Sequence, residues 1–133
     1  MTRFTMSLAA LLFVPLFAAQ ADAAPKTRYD ATTQTCRVLS EGPLEWTSRP
    51  WGEGGKLFRD VCKNCHSHGN DKGAPFLWVE SKSSAAWNRV FATRYPKCAQ
   101  DGSWGTMTKE QLLELNDYLY RFAAYSQDTN DSC

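Results

Sequence analysis

The segment RDVCKNCHSHGN, residues 59–70, carries Cys62, Cys65, His66 and His68, which are two of the five cysteines and both histidines of the chain. Three chemistries use such groups at such spacing. A structural zinc ion needs four ligands, usually as two close pairs. Cys62 and Cys65 form one pair, but His66 and His68 are too near to be the second half, and Cys36, Cys98 and Cys133 stand alone. A redox CxxC belongs at a helix start after a strand, in a βαβ unit. Here the residues before Cys62 have a helical pattern and no strand precedes them.

The third chemistry is covalent attachment of haem, for which C-x-x-C-H is the signature. Thiols at i and i+3 on one helical turn face the same way, so both can add to the vinyl groups on one porphyrin edge. His66 then follows under the ring, where an imidazole nitrogen can bind iron. A second axial ligand is usually Met or His in electron-transfer haems. Met1 and Met6 lie in the amino-terminal apolar segment, which leaves Met107 as the methionine available. Its ordinary reading is a gap-filling core residue. The rivals are His68, tethered to the same side as His66 and read as a surface histidine, and Cys98, since a thiolate can also bind haem iron. Two strong axial ligands leave no open position for substrate. Electron transfer is therefore the expectation, without enzymatic activity; a gas-binding five-coordinate site would require that Met107 stay off the iron.

The elements that must position these groups are helical. From Lys56, the apolar positions Leu57, Phe58, Val61 and Cys62 make a stripe that runs into Cys65. A second helix is expected over 84–95, with Trp87, Val90, Phe91 and Tyr95 at helical spacing, a cap at Ser83 or Ser84 and a stop at Pro96. A third begins at Thr108, where Thr108 and Gln111 form a capping box and Leu112, Leu115, Leu119 and Phe122 share a face. Residues 67–82 and 96–107 read as loops, and loops of that length in a small domain need something to order them. Strand signals are few, and residues 24–52 read as loop or extended chain.

The amino terminus has a basic start at Arg3, an apolar run from Met6 to Ala19 and a small-x-small site at Ala21-Asp22-Ala23, the pattern of a cleaved export signal over 1–23. An uncleaved anchor is the other reading, but Pro15 interrupts the run and it is short for a span. Export implies a periplasmic mature chain without a membrane span. Its net charge stays at +1, because the segment removes one Arg and one Asp from a chain that carries +1. The basic residues form no stripe, which argues against a nucleic-acid partner. An oxidising compartment favours disulfides. With Cys62 and Cys65 committed, at most one can form among Cys36, Cys98 and Cys133, and which pair it is stays open.

With GGKLFRDVCKNCH, GAPFL and GTMTKEQLLELNDYLYRFA in this order, residues 54–125 resemble the small monohaem cytochromes c of the class I kind. The resemblance implies an all-α, cytochrome c-like domain over 54–133, of about three helices with long loops wrapped around one covalent haem c and its iron. It makes residues 24–53 an N-terminal extension. It implies that Cys62 and Cys65 hold the haem, that His66 and Met107 are the axial pair, and that the Pro75 carbonyl accepts the other ring N–H of His66. Gly54 or Gly55 and Phe58 would lie where the first helix crosses the last, against Tyr118 or Leu119. Cys36, Cys98 and Cys133 are not part of the family pattern, and a disulfide from the extension to Cys98 or Cys133 would tie it down. Trp104 is expected in the core, with a place beside the haem as the other reading. The expected function is periplasmic electron transfer between a protein donor and acceptor; the alternative is a haem subunit held permanently in a periplasmic oxidoreductase.

Overall fold

The structure is a computed structural model that describes residues 24–39, 51–124 and 133. The expected signal segment and residues 40–50 lie outside the described residues. The chain enters as an antiparallel hairpin, β1 (Thr27–Asp30) and β2 (Thr35–Val38), with Thr27 opposite Val38 and Asp30 opposite Thr35. The all-α, haem-wrapping arrangement of three helices is therefore corrected: the fold is mixed, a two-stranded sheet beside a set of helices. The physical reason is that the buried face of β1 is charged. Arg28 and Asp30 point inward while Tyr29 stays largely exposed, so the strand has no alternation of apolar residues to reveal it. Its turn does carry a signal. The Asp30 carboxylate accepts hydrogen bonds from the Thr32 and Thr33 N–H groups at 2.9 and 3.0 Å, an Asx-type turn.

Helix α1 (Gly52–Leu57) starts before the expected Lys56 and passes without a break into a π-helical turn (Phe58–Cys62) and then α2 (Lys63–Cys65). The Lys63 N–H donates to the Phe58 carbonyl, an i to i+5 bond that closes a widened turn ending on Cys62, the first cysteine of the pair. After a 3-10 turn at Val79–Ser81 comes α3 (Ser84–Thr93), capped by the Ser83 hydroxyl, which accepts from the Ala86 N–H at 3.3 Å. It ends two residues earlier than expected, because Arg94 takes a left-handed conformation with φ 51° ahead of the proline-restricted Tyr95. A short α4 (Lys97–Gln100) stands in the expected loop 96–107. The last helix, α5 (Lys109–Phe122), opens on the Thr108–Gln111 capping box, with both reciprocal bonds present at 3.2 and 2.9 Å.

Helices α1 and α5 cross at Gly54, where a Cβ would fall on the Glu114 carbonyl and come within 2.7 Å of Tyr118 Cβ. Phe58 packs on the Tyr118 ring at 6.1 Å. The core joins α1, α3 and α5 through Leu57, Phe58, Trp87, Val90, Phe91, Met107, Leu115 and Leu119. A smaller cluster of Leu39, Trp51 and Tyr120 anchors the exit of the hairpin, with Trp51 Nε1–H donating to the Leu39 carbonyl at 2.8 Å.

The hairpin is bound to the helices by buried charge. Arg28, fully buried, gives its guanidinium to Asp117 at 2.6 Å, to Asp30 at 2.7 Å and to the Asn88 side-chain oxygen at 2.9 Å. Arg37 meets the other Asp117 oxygen at 2.6 Å. A Cys36–Cys133 disulfide, with Cα atoms 6.1 Å apart, links β2 to the last residue of the chain. Cys62, Cys65 and Cys98 are free thiols.

Candidate haem-binding site

The end of the π-helical turn, α2 and the residue after it bring Cys62, Cys65 and His66 to the wall of one cavity of about 610 Å³. The spacing explains this: successive i, i+3 and i+4 positions lie on one side of a helical turn. The cavity is floored by apolar side chains of the core, including Val61, Leu77, Val90, Phe91 and Leu119. Its size falls in the range of cofactor cavities, which are mostly apolar with a few placed polar groups. Among the described residues no three His, Cys, Asp or Glu side chains are gathered to hold a bare metal ion.

His66 is held from three directions. Its N–H donates to the Cys62 carbonyl at 2.9 Å, its carbonyl accepts from the Leu77 N–H at 3.2 Å, and its ring Nδ1–H donates to the Pro75 carbonyl at 2.7 Å. A carbonyl can only accept, so the tautomer is set and Nε2 keeps its lone pair for a ligand. The loop that presents Pro75 is ordered by Asn70. Its Nδ2 donates to the carbonyls of Ser67 and Ala74 at 2.9 and 2.8 Å, and its Oδ1 accepts from the N–H groups of Lys72 and Ala74 at 3.0 and 3.2 Å. Lys63 continues the tie, with Nζ donating to the Leu77 carbonyl at 2.8 Å and lying 3.9 Å over the Phe76 ring. Nothing in the sequence analysis singled out Asn70 or Lys63. The Asn-Asp-Lys-Gly run after the histidines is the turn composition that could have indicated the first.

His68 does not line this cavity; its ring stacks on Phe76 with centroids 3.6 Å apart. Met107 does not line it either. It is 8% exposed in the core, immediately ahead of the Thr108 cap, and borders a separate cavity of about 500 Å³ together with Leu112. Residues before a cap and four into the helix commonly pack in this way, as a hydrophobic staple. The stacked pair Phe91 and Trp104, 5.0 Å apart, lines both cavities. Trp104 thus belongs to the core and also faces the site.

Cys98, from α4, lines the cavity of His66 together with Tyr95, Pro96, Ser103 and Thr106. Burial pushes the Cys62 thiol up to about 12, and the neighbouring Cys98 and Cys65 add to that shift. Three thiols and one oriented imidazole therefore share one apolar cavity. Such a set fits a group that takes covalent thioethers on one edge and nitrogen or sulfur ligands on a central metal. No helix among the described residues is long and apolar enough to cross a membrane. A comparison with family models, with curated proteins and with solved structures finds no match.

Proposed function

We propose that this chain is an exported electron-transfer protein that carries one covalent c-type haem, in keeping with its resemblance to the monohaem cytochromes c. The observation that carries the reading is the convergence of Cys62, Cys65 and a His66 ring oriented by the Pro75 carbonyl on one apolar cavity. Cys62 and Cys65 would form the thioethers, and His66 Nε2 would be the proximal iron ligand. When bound, the haem supplies a one-electron ferric/ferrous couple. The chain's part is to hold and tune it. The Pro75 bond strengthens the imidazole as a donor, the apolar floor excludes water, and Lys63 and Asn70 fix the loop that carries Pro75.

Protein donors and acceptors in the periplasm are the proposed partners, met through a small, transient interface. Tyr95 at the cavity wall and Trp78 beside Leu77 are 49% and 60% exposed, and both offer rings for such a contact. The same exposure supports a second reading, a subunit held permanently in a periplasmic oxidoreductase, since lasting interfaces cover apolar rings. Gel filtration from the native host separates the two, because a carrier elutes alone and a subunit elutes with its enzyme.

The test is expression of the full chain in a host that exports and matures c-type haem, followed by a haem stain on denaturing gels. The wild type retains haem through denaturation, and the double variant Cys62→Ser/Cys65→Ser does not. An exported wild type without covalent haem would sink the reading.

A further inference from the structure

We propose that Cys98, and not Met107, is the second protein ligand to the haem iron; this rests on the reading above that Cys62, Cys65 and His66 hold that haem.

Three independent observations converge on Cys98. The first is position. Cys98 lines the same cavity as His66, whereas Met107 borders an adjoining one that shares the Phe91–Trp104 pair with it. The second is the task each sulfur already has. Met107 is packed at the start of α5, its N–H donates to the Trp104 carbonyl at 3.0 Å, and it joins the cluster of Phe58, Phe91, Leu115 and Leu119. Phe58, Phe91 and Leu119 of that cluster line the His66 cavity, whereas Met107 itself does not, so to reach the iron it would have to turn out of its packing at the start of α5. The third is the cysteine inventory. Cys36 and Cys133 are joined to each other, and Cys62 and Cys65 would be consumed as thioethers. That leaves Cys98 as the one free thiol of an exported chain, half-buried in a cavity wall. Exported thiols are usually paired, and coordination protects one that is not.

Element geometry allows the assignment. His66 follows α2 and Cys98 sits in α4, on separate segments joined through the whole of α3. The chain between them leaves Cys98 a wall position of its own in that cavity, whereas His68, two residues from His66, is tethered beside it and does not line the cavity. Other polar residues on the wall serve less well. Lys82 carries an ammonium with no lone pair, and its Nζ sits 5.7 Å over the Trp87 ring. Tyr95 is half exposed.

The chemistry differs from a Met-ligated carrier. A thioether raises the reduction potential, whereas an anionic thiolate donates charge to the iron and favours the ferric form. The haem would then sit at the low-potential end of an electron-transfer chain.

The experiment is the visible and electron paramagnetic resonance spectrum of the ferric holoprotein, with its midpoint potential, for the wild type, Cys98→Ser, Cys98→Met and Met107→Leu. The expected wild type is low-spin with thiolate character and without the weak long-wavelength band of a Met sulfur on iron. Cys98→Ser loses the thiolate signature, Cys98→Met raises the potential, and Met107→Leu leaves both spectrum and potential unchanged. Loss of the low-spin spectrum in Met107→Leu, with Cys98→Ser unchanged, would overturn the assignment while leaving the haem reading intact. A wild type without covalent haem would remove both. Cys98→Met keeps the question answerable if the serine variant folds poorly.

Discussion

Arg28 and Asp117, 89 residues apart in the chain, form a fully buried ion pair in which Nη2 and Oδ1 are 2.6 Å apart. The guanidinium fork also serves Asp30 and Asn88, so one side chain docks the hairpin on both α5 and α3. Removing Arg28 leaves Asp117 with Arg37 but takes the guanidinium away from buried Asp30, and breaking a buried pair in this way costs about 3 kcal/mol, the lower end of the usual range. Arg28→Met is therefore expected to lower unfolding stability by about that amount. Arg28→Lys should recover only a minor part, because an ammonium cannot span three acceptors in a planar fork. Urea denaturation of the purified protein measures both; a shift of about a few tenths of a kcal/mol would show that the hairpin is not docked through this residue.

Asp30 adds a pH dependence. Burial pushes its carboxyl up, but hydrogen bonds from Thr32 and Arg28, with the Arg28 charge, outweigh this and hold it well below its usual 3.8. A depressed carboxyl contributes stability that is fully present above its unfolded value. That contribution fades as the pH falls below about 3.8 towards the folded value. The urea midpoint of the wild type should drop steeply in that acid range. Asp30→Asn should start lower at neutral pH and show a shallower drop there. Parallel curves for the two proteins would count against the assignment.

Gly54 is required by the helix crossing rather than by its backbone conformation. A methyl group there would overlap the Glu114 carbonyl, which belongs to the backbone of α5 and cannot swing aside. Overpacking of this kind costs typically 1–3 kcal/mol, and a clash with backbone belongs at the upper end. Gly54→Ala should lower the melting temperature clearly, although Ala is the better helix former. An unchanged or raised melting temperature would mean that α1 and α5 can separate without cost.

The Cys36–Cys133 bond closes a loop of sequence separation 97. Loops of this length restrict the unfolded chain most, and removal of a native disulfide from a small secreted domain typically costs about 2–5 kcal/mol. Cys36→Ser and Cys133→Ser should each lose that amount, and the double variant should lose no more than either. Thiol counting on the denatured, unreduced protein supplies the independent check: Cys36 and Cys133 should show no reactive thiol.

Legible in the chain alone is whatever lies within one or two helical turns. The Thr108–Gln111 box, the Ser83 cap and the common direction of Cys62, Cys65 and His66 all follow from i, i+3 and i+4 geometry, which depends on no distant residue. The crossing of α1 and α5 at Gly54 came through family resemblance, since helix packing cannot be read from one helix alone. The hairpin was invisible because its buried face is Arg28 and Asp30, whose burial makes sense only once Asp117 and Asn88 lie beside them. The disulfide partner of Cys36 was open for the same reason. Which sulfur lines the His66 cavity depends on how distant segments pack. Met107 and Cys98 are nine positions apart, and although the place of Met107 just ahead of the Thr108 cap favours packing, no local pattern says which sulfur reaches the cavity. The docking of α5 on the core turns Met107 inward as a packing residue, while α4 carries Cys98 to the wall that His66 shares.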